Sequence, residues 1–273
     1  MQRYFLSAAS AVDGIVEITG ADFHHLARVM RMRPGDRVEV VLLDQVFEAR
    51  VEAVDKNAEC ARLALIAPVS ASRESHGSLT LLQGLPKGEK IDQIIRQACE
   101  IGAARIIVFE AKRSVAVLTA DKLAAKLTRW RKIAKEACEQ AHRDLITDVQ
   151  VATSAATAVQ DFYDSVAGRD DLPLLVIPYE SQTKALSSLR EALHGESVDQ
   201  KLSTAIGIVI GPEGGFDEAE IADMEQRGGV AVSLGSRILR TETAGVAVAA
   251  VVMYEWGEWV APGADRPARR ESE

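Results

Sequence analysis

From residue 79 to about residue 256, short apolar runs alternate with longer runs in which apolar residues recur every three or four positions. That alternation restricts the fold more than any other feature of the chain. The short runs read as strands buried on both faces, and the periodic runs read as helices that cross from one strand to the next. Strands are expected at Leu79–Leu82, Arg105–Glu110, Leu174–Ile177, Ala205–Ile210 and Val230–Leu234. One helix is expected at Lys90–Ile101, with Ile91, Ile94, Ile95 and Ala98 on one face. A long one follows at Asp121–His142, with Leu123, Leu127, Trp130 and Ala134 at helical spacing, and a last one covers about Thr243–Trp256. The class implied is α/β, a parallel sheet with helices on both faces.

The first 68 residues follow another pattern. Gly14–Thr19, Arg37–Leu43, Val46–Val51 and Ala61–Ile66 are β-rich runs separated by turn signals such as Pro34-Gly35-Asp36, which reads as a small β-barrel. A short helix is expected at Asp22–Met30, with Asp22 as its cap. Residues 68–78 are small and polar and read as a linker. The expected organisation is therefore a barrel at 1–70, an α/β domain at 71–260, and a charged, Pro-containing disordered tail at 261–273.

No run approaches the roughly 18 apolar residues needed to span a bilayer. The N-terminus lacks the apolar stretch of a secretory signal, so a cytoplasmic chain is expected. Cys60, Cys99 and Cys138 form no CxxC pair, and reduced, buried thiols are the expectation. His24 and His25 are adjacent and cannot face each other on a helix, so no metal site is expected. The net charge of −8 is unevenly spread: residues 71–150 carry 14 Lys/Arg against 10 Asp/Glu. A local basic face can bind phosphates whatever the total charge.

In parallel α/β sheets, ligands bind at the carboxyl edge of the strands. Two such edges carry unusual sequences. Gly211-Pro-Glu-Gly-Gly-Phe216 follows the strand ending at Ile210. Glycines there allow positive φ and close approach of ligand atoms to the backbone. Asp217 is placed to cap the next helix, with Glu220 completing a capping box. Leu234-Gly-Ser-Arg-Ile-Leu-Arg-Thr-Glu-Thr-Ala244 follows the next strand, clusters Arg237, Arg240 and Glu242, and opens a helix that Thr241 or Thr243 can cap. The helix behind it is apolar on every side and must be buried in a core or a subunit interface. GxGxxG, Walker A and GxSxG motifs are missing from the sequence, so dinucleotide, NTPase and hydrolase readings lose support.

The pair of segments 211–216 and 234–244 resembles the SPOUT, or trefoil-knot, methyltransferases. Within them the chain is similar to the bacterial 16S ribosomal RNA uridine-N3 methyltransferase family called RsmE. Phe23–Asp36, Lys87–Asp92, Ala98–Gly102 and Lys135–Arg143 look like that family's N-terminal and middle motifs, so the resemblance covers nearly the whole chain. At Ala141-His142 the chain departs from the pattern, which often has a small residue or Gly there.

The resemblance implies a PUA-like β-barrel followed by a SPOUT-type knotted parallel-sheet methyltransferase domain. It also implies a homodimer, S-adenosylmethionine as cofactor, no metal, and uridine 1498 of 16S rRNA in the small ribosomal subunit as target. A SPOUT enzyme acting on another base or a ribose 2′-OH, or a non-catalytic ribosome-assembly factor, is the alternative. The cofactor is expected against Ile210, Gly211, Pro212 and Gly214, and against Leu234, Gly235, Ile238, Leu239, Arg240, Thr243 and Ala244. Ile177 and Pro178 should supply a third wall. Arg240 is the candidate to stabilise charge on the uracil oxygens, with Glu213 or Glu242 accepting a proton or orienting Arg240. RNA is expected to meet Arg28, Arg31 and Arg33 on the barrel, and Lys87, Lys90, Lys112 and Arg113 on the second domain.

Overall fold

Period-two burial sets the N-terminal strands. In β3 (Ile15–Thr19), Val16 and Ile18 are buried while Glu17 and Thr19 face out. The computed structural model describes residues 1–7, 11–70, 72–169, 172–180, 186–194 and 202–259. The expected tail, 261–273, lies outside the described residues. Two compact units emerge: Met1–Glu74 together with Lys135–Ile146, and Ser75–Ala134 together with the chain from Thr147 onward.

The first unit holds a six-stranded mixed sheet. Its members are β1 (Gln2–Phe5), β2 (Ala11–Val12), β3, β4 (Arg37–Leu42), β5 (Gln45–Asp55) and β6 (Cys60–Pro68), in the order β1-β4-β5-β6-β3-β2. Only β1 and β4 pair in parallel. Tyr4, Val16, Ile18, Leu26, Val38, Val40 and Leu63 share one core. Helix α1 (Gly20–His24) runs into a π-helical turn at His25–Val29. Asp22 does not cap it: Thr19 occupies the cap position without a side-chain bond. Asp22 accepts instead from Lys135 Nζ at 2.7 Å.

Residues 135–146 belong to this unit because of a buried charge cluster. The Arg3 side chain is 1% exposed. It donates to Glu39 through Nε at 3.0 Å and Nη2 at 2.8 Å, to Asp144 Oδ1 at 2.6 Å, and to the carbonyls of His142 and Arg143 at 2.8 and 2.6 Å. The stretch expected to be a linker joins the same cluster. Ser72 Oγ and Arg73 N donate to Asp144 Oδ2, Arg73 pairs with Glu39, and Arg143 pairs with Glu74. Burial alone would push the Glu39 carboxyl up. Hydrogen bonds from His142 and Arg3, the Arg3 charge and a bond from Arg73 outweigh it and bring Glu39 from 4.5 down to about 2. His142 sits at φ 55, the left-handed region that suits glycine, and its Nδ1 lies 3.0 Å from Glu39 Oε2.

The second unit is a seven-stranded, all-parallel sheet. It comprises β7 (Ser78–Gly84), β8 (Arg105–Phe109), β9 (Asp148–Ala152), β10 (Leu174–Pro178), β11 (Ser187–Ser188), β12 (Ala205–Ile210) and β13 (Gly229–Ser233), in the order β11-β13-β10-β12-β7-β8-β9. Every residue of β12 is buried, as a central parallel strand covered on both faces requires. On one face lie α2 (Lys90–Ile101) and α7 (Thr241–Glu255), which pack on each other, with α7 over β7 and β12. On the other, α4 (Ala155–Ser165) and α6 (Glu218–Gln226) share a core with Leu82, Ile107, Leu175 and Val209. The remaining helices are α3 (Ala120–Gln140) and α5 (Leu189–His194). The apolar stripe of α2 buries Ile91, Ile94, Ile95, Ala98 and Cys99. Only one side of the apolar α7 is buried, through Ala244, Val248, Ala249, Val252 and Met253; Val251 and Tyr254 are exposed. Among the described residues no helix is long and apolar enough to cross a membrane.

Candidate active site

The carboxyl ends of three neighbouring parallel strands meet around one hollow. Strand β10 lies between β13 and β12, so the two loops singled out in the sequence do not follow adjacent strands. Pro178 at the end of β10 stands between them. The hollow has a volume of about 590 Å³, within the roughly 300–1,000 Å³ usual for small-molecule sites.

Of the expected cofactor residues, Pro178, Ile210, Gly211, Pro212, Gly214, Leu234, Gly235, Ile238, Leu239, Arg240 and Ala244 line it. Ile177 and Thr243 do not. Ile177 points the other way, into the core shared with α4 and α6. Thr243 is exposed in the first turn of α7. Tyr179, Glu180, Phe216 and Arg237 also line the hollow. All four fall in segments marked by the glycine and arginine motifs or by the end of β10, so strand ends were the signal that could have found them.

The glycines act differently from the sequence expectation. Of the three in 211–216, only Gly215 has a positive φ. At Gly214 the missing Cβ makes room for protein, not ligand: a methyl there would stand 2.8 Å from the Arg113 carbonyl oxygen. The 111–114 loop therefore lies directly on the glycine loop. The expected capping box is present, with Asp217 accepting from Glu220 N at 2.7 Å and Glu220 from Asp217 N at 3.0 Å. Glu220 also accepts from Lys112 N at 2.9 Å, which ties that loop to α6.

The expected cap of α7 is absent. Arg240 occupies the cap position without a side-chain bond, leaving first-turn N–H groups open to a carboxylate. Thr241 Oγ1 donates instead to the Gly211 carbonyl at 2.7 Å. Arg240 is exposed on the rim, and among the described residues no carboxylate pairs with it.

The two candidate carboxylates differ. Glu213 accepts from Lys90 Nζ at 2.8 Å and from Lys87 N at 3.2 Å. Burial pushes its carboxyl up, but the Lys90 ammonium and these donors outweigh that and hold it below the usual range. Glu242 Oε2 lies 3.5 Å from Lys90 Nζ, an ion-pair contact, yet that buried oxygen receives no hydrogen bond. Lys90 is thus committed to two carboxylates, and Lys112 Nζ to Asp217 at 3.0 Å. Lys87 and Arg113 are exposed, and Arg113 reaches the rim. Arg28, Arg31 and Arg33 are exposed on the first unit and take no part in the lining. Among the described residues no group of three or more His, Cys, Asp or Glu could hold a metal.

A family model for an RNA methyltransferase domain matches residues 73–253, and one for an RNA methyltransferase PUA domain matches residues 18–63. Ribosomal RNA small subunit methyltransferase E of Bacillus subtilis (strain 168) is 34% identical over 263 residues, covering 93% of this chain and 97% of its own. The chain belongs to the ribosomal RNA small subunit methyltransferase E family. A Mycobacterium tuberculosis relative in this family is 29% identical and covers 96% of this chain and 95% of its own. The crystal structure of the family's Neisseria gonorrhoeae protein, bound to S-adenosyl methionine, superposes with a TM-score of 0.75 at 25% identity. That likeness covers 95% of this chain and all of that one. A Legionella pneumophila methyltransferase at 24% identity and a TM-score of 0.77 has the same fold.

Proposed function

We propose that this chain is an S-adenosylmethionine-dependent methyltransferase that methylates N3 of a uridine in 16S rRNA of the small ribosomal subunit. The family's target, uridine 1498, is the site it would modify. The reading includes a knotted path in the second unit, a cytoplasmic location, and a homodimer formed over the exposed side of α7. The observation that carries it is the meeting of the 210–216 and 234–244 loops around one hollow beside the end of β10.

The residues fit the cofactor. Ile210, Leu234, Leu239 and Ala244 offer an apolar lining for an adenine, two loops offer backbone groups to its edges, and the uncapped start of α7 suits a carboxylate. Bound there, S-adenosylmethionine supplies a methyl group already activated by its sulfonium, a chemistry that needs no metal. The chain's task is then positioning and charge stabilisation. A flipped uridine would present its Watson–Crick edge to the rim. Arg240, free of carboxylate partners among the described residues, would meet negative charge developing on the uracil oxygens. Glu242 is the proton acceptor by geometry: Glu213 is already engaged by Lys90 Nζ and Lys87 N, whereas one Glu242 oxygen has no hydrogen-bond donor among the described residues. Arg113 and Arg237 on the rim suit phosphates, and Arg28, Arg31 and Arg33 would take RNA on the first unit.

Mass mapping combined with chromatographic nucleoside analysis of small-subunit RNA from a strain lacking the gene tests this reading. Purified protein with S-adenosylmethionine should restore one N3-methyluridine, and the Arg240→Ala variant should not. A restored 2′-O-methyl nucleoside, or no restored methyl group, refutes it.

A further inference from the structure

The end of β7 carries a glutamine that the chemistry above does not use. Gln83 is fully buried. Its Nε2 donates to the Gly84 carbonyl at 2.8 Å and to Thr241 Oγ1 at 2.9 Å. Thr241 Oγ1 in turn donates to the Gly211 carbonyl at 2.7 Å. The direction of this chain follows from proton counting. Thr241 has one hydroxyl hydrogen, and the Gly211 carbonyl can only accept, so Thr241 must receive from Gln83. Turning the amide over would set its oxygen against the Gly84 carbonyl, acceptor against acceptor. Both Nε2 hydrogens are therefore used, and Oε1 is left buried with no partner. An apolar side chain would avoid that desolvation cost.

The relay joins the parts that build the hollow. Gly211 is the first residue of the glycine loop. Thr241 is the first residue of α7 and adjoins Arg240 on the rim. Backbone packing tightens the same junction: a methyl on Gly84 would meet Pro212 N at 2.8 Å. We infer that Gln83 is a positioning residue that, by donating through Thr241 to Gly211, holds the two cofactor loops at their working separation and sets the cofactor affinity of the site. The inference rests on the S-adenosylmethionine reading and adds to it a residue outside the hollow.

Calorimetric titration of S-adenosylmethionine into the full chain separates the two. Wild-type protein that does not bind refutes the cofactor reading and removes the basis of the relay. Given wild-type binding, Gln83→Leu and Thr241→Val should each weaken affinity about tenfold, about 1.4 kcal/mol. The double variant should be no weaker than either single one, because both cut the same relay. Thr241→Ser should restore wild-type affinity. Gln83→Glu supplies a readout that packing alone would not move. Burial raises the pKa of a carboxyl at this site; once it ionises at alkaline pH, its carboxylate would draw the Thr241 proton away from Gly211, and affinity should fall. As acid protonates the carboxyl, its O–H can donate to Thr241 again, and affinity should recover relative to wild type at the same pH. Wild-type affinity in both Gln83→Leu and Thr241→Val overturns the inference. So does additive loss in the double variant, which would mark two separate packing defects.

Discussion

Arg3→Leu should destabilise the first unit more than any surface change of the same size. The guanidinium is 1% exposed and serves Glu39, Asp144 and two backbone carbonyls. Removing it leaves two buried carboxylates short of a cation, a loss of about 3–5 kcal/mol for a broken buried pair. Arg73 and His142 still reach Glu39, and Ser72 and Arg73 N still reach Asp144. The low end, about 3 kcal/mol, is therefore expected. The unit has fewer than 100 residues, and at roughly 4–8 °C per kcal/mol the melting midpoint should fall by about 12 °C or more. Trp130, Trp256 and Trp259 all lie in the second unit, so tryptophan fluorescence reports that unit. Hydrogen exchange of β4–β6 amides reports the first. The variant should lose protection in β4–β6 while the tryptophan transition moves little. Glu39 and Asp144 both have folded pKa values below their ordinary ones. The stability they contribute is thus present above about 4.5 and is lost as pH falls toward about 2. The gap between wild type and Arg3→Leu should be full at pH 7 and narrow across that window. A first-unit midpoint within about 3 °C of wild type at pH 7, or a gap that widens in acid, refutes the argument.

Other outcomes follow from the same geometry. Gly214→Ala should cost about 1–3 kcal/mol, because its methyl meets a backbone oxygen 2.8 Å away, and calorimetry should show weakened cofactor binding together with a lower midpoint. Arg240→Ala should reduce turnover about 100-fold with saturating cofactor while its calorimetric cofactor affinity stays within about threefold of wild type. Glu242→Gln should reduce single-turnover methyl transfer more than Glu213→Gln, and the reverse order would reassign the proton acceptor. At position 142, His142→Gly should be more stable than His142→Ala by about 1 kcal/mol in chemical denaturation, since both lose the Glu39 contact and only Ala keeps a side chain in the left-handed region.

The second unit was readable because its strands are buried on both faces and its helices on one, so hydrophobic pattern and structure share a cause. Lys90–Ile101 and Ala205–Ile210 match residue for residue. Strand β1 was missed because Gln2-Arg-Tyr-Phe5 mixes a charge into a short run. Arg3 is buried there because Glu39 and the 142–144 stretch, both distant in sequence, complete its shell. The stretch 72–74 looked like a linker for the same reason: Ser, Arg and Glu are polar wherever they stand, and their partners in 143–144 and at Glu39 are remote. At the candidate site, glycines and arginines marked the right loops, but side-chain direction was not legible. Alternation along β10 sends Ile177 to the core and Pro178 to the hollow. Lys90 read as a phosphate contact because the sequence does not reveal that Glu213 and Glu242 face it.

The first unit is discontinuous, and that bears on how the protein is made. Arg3 leaves the ribosome 141 residues before Asp144, which at roughly 5–20 residues per second is a wait of about 7–30 s. During that interval Arg3 at the sheet edge has Glu39 but lacks Asp144 and the carbonyls of His142 and Arg143. A fragment ending near residue 74 would remain in that condition permanently. Anyone wishing to excise the N-terminal unit must graft residues 135–146 back onto it.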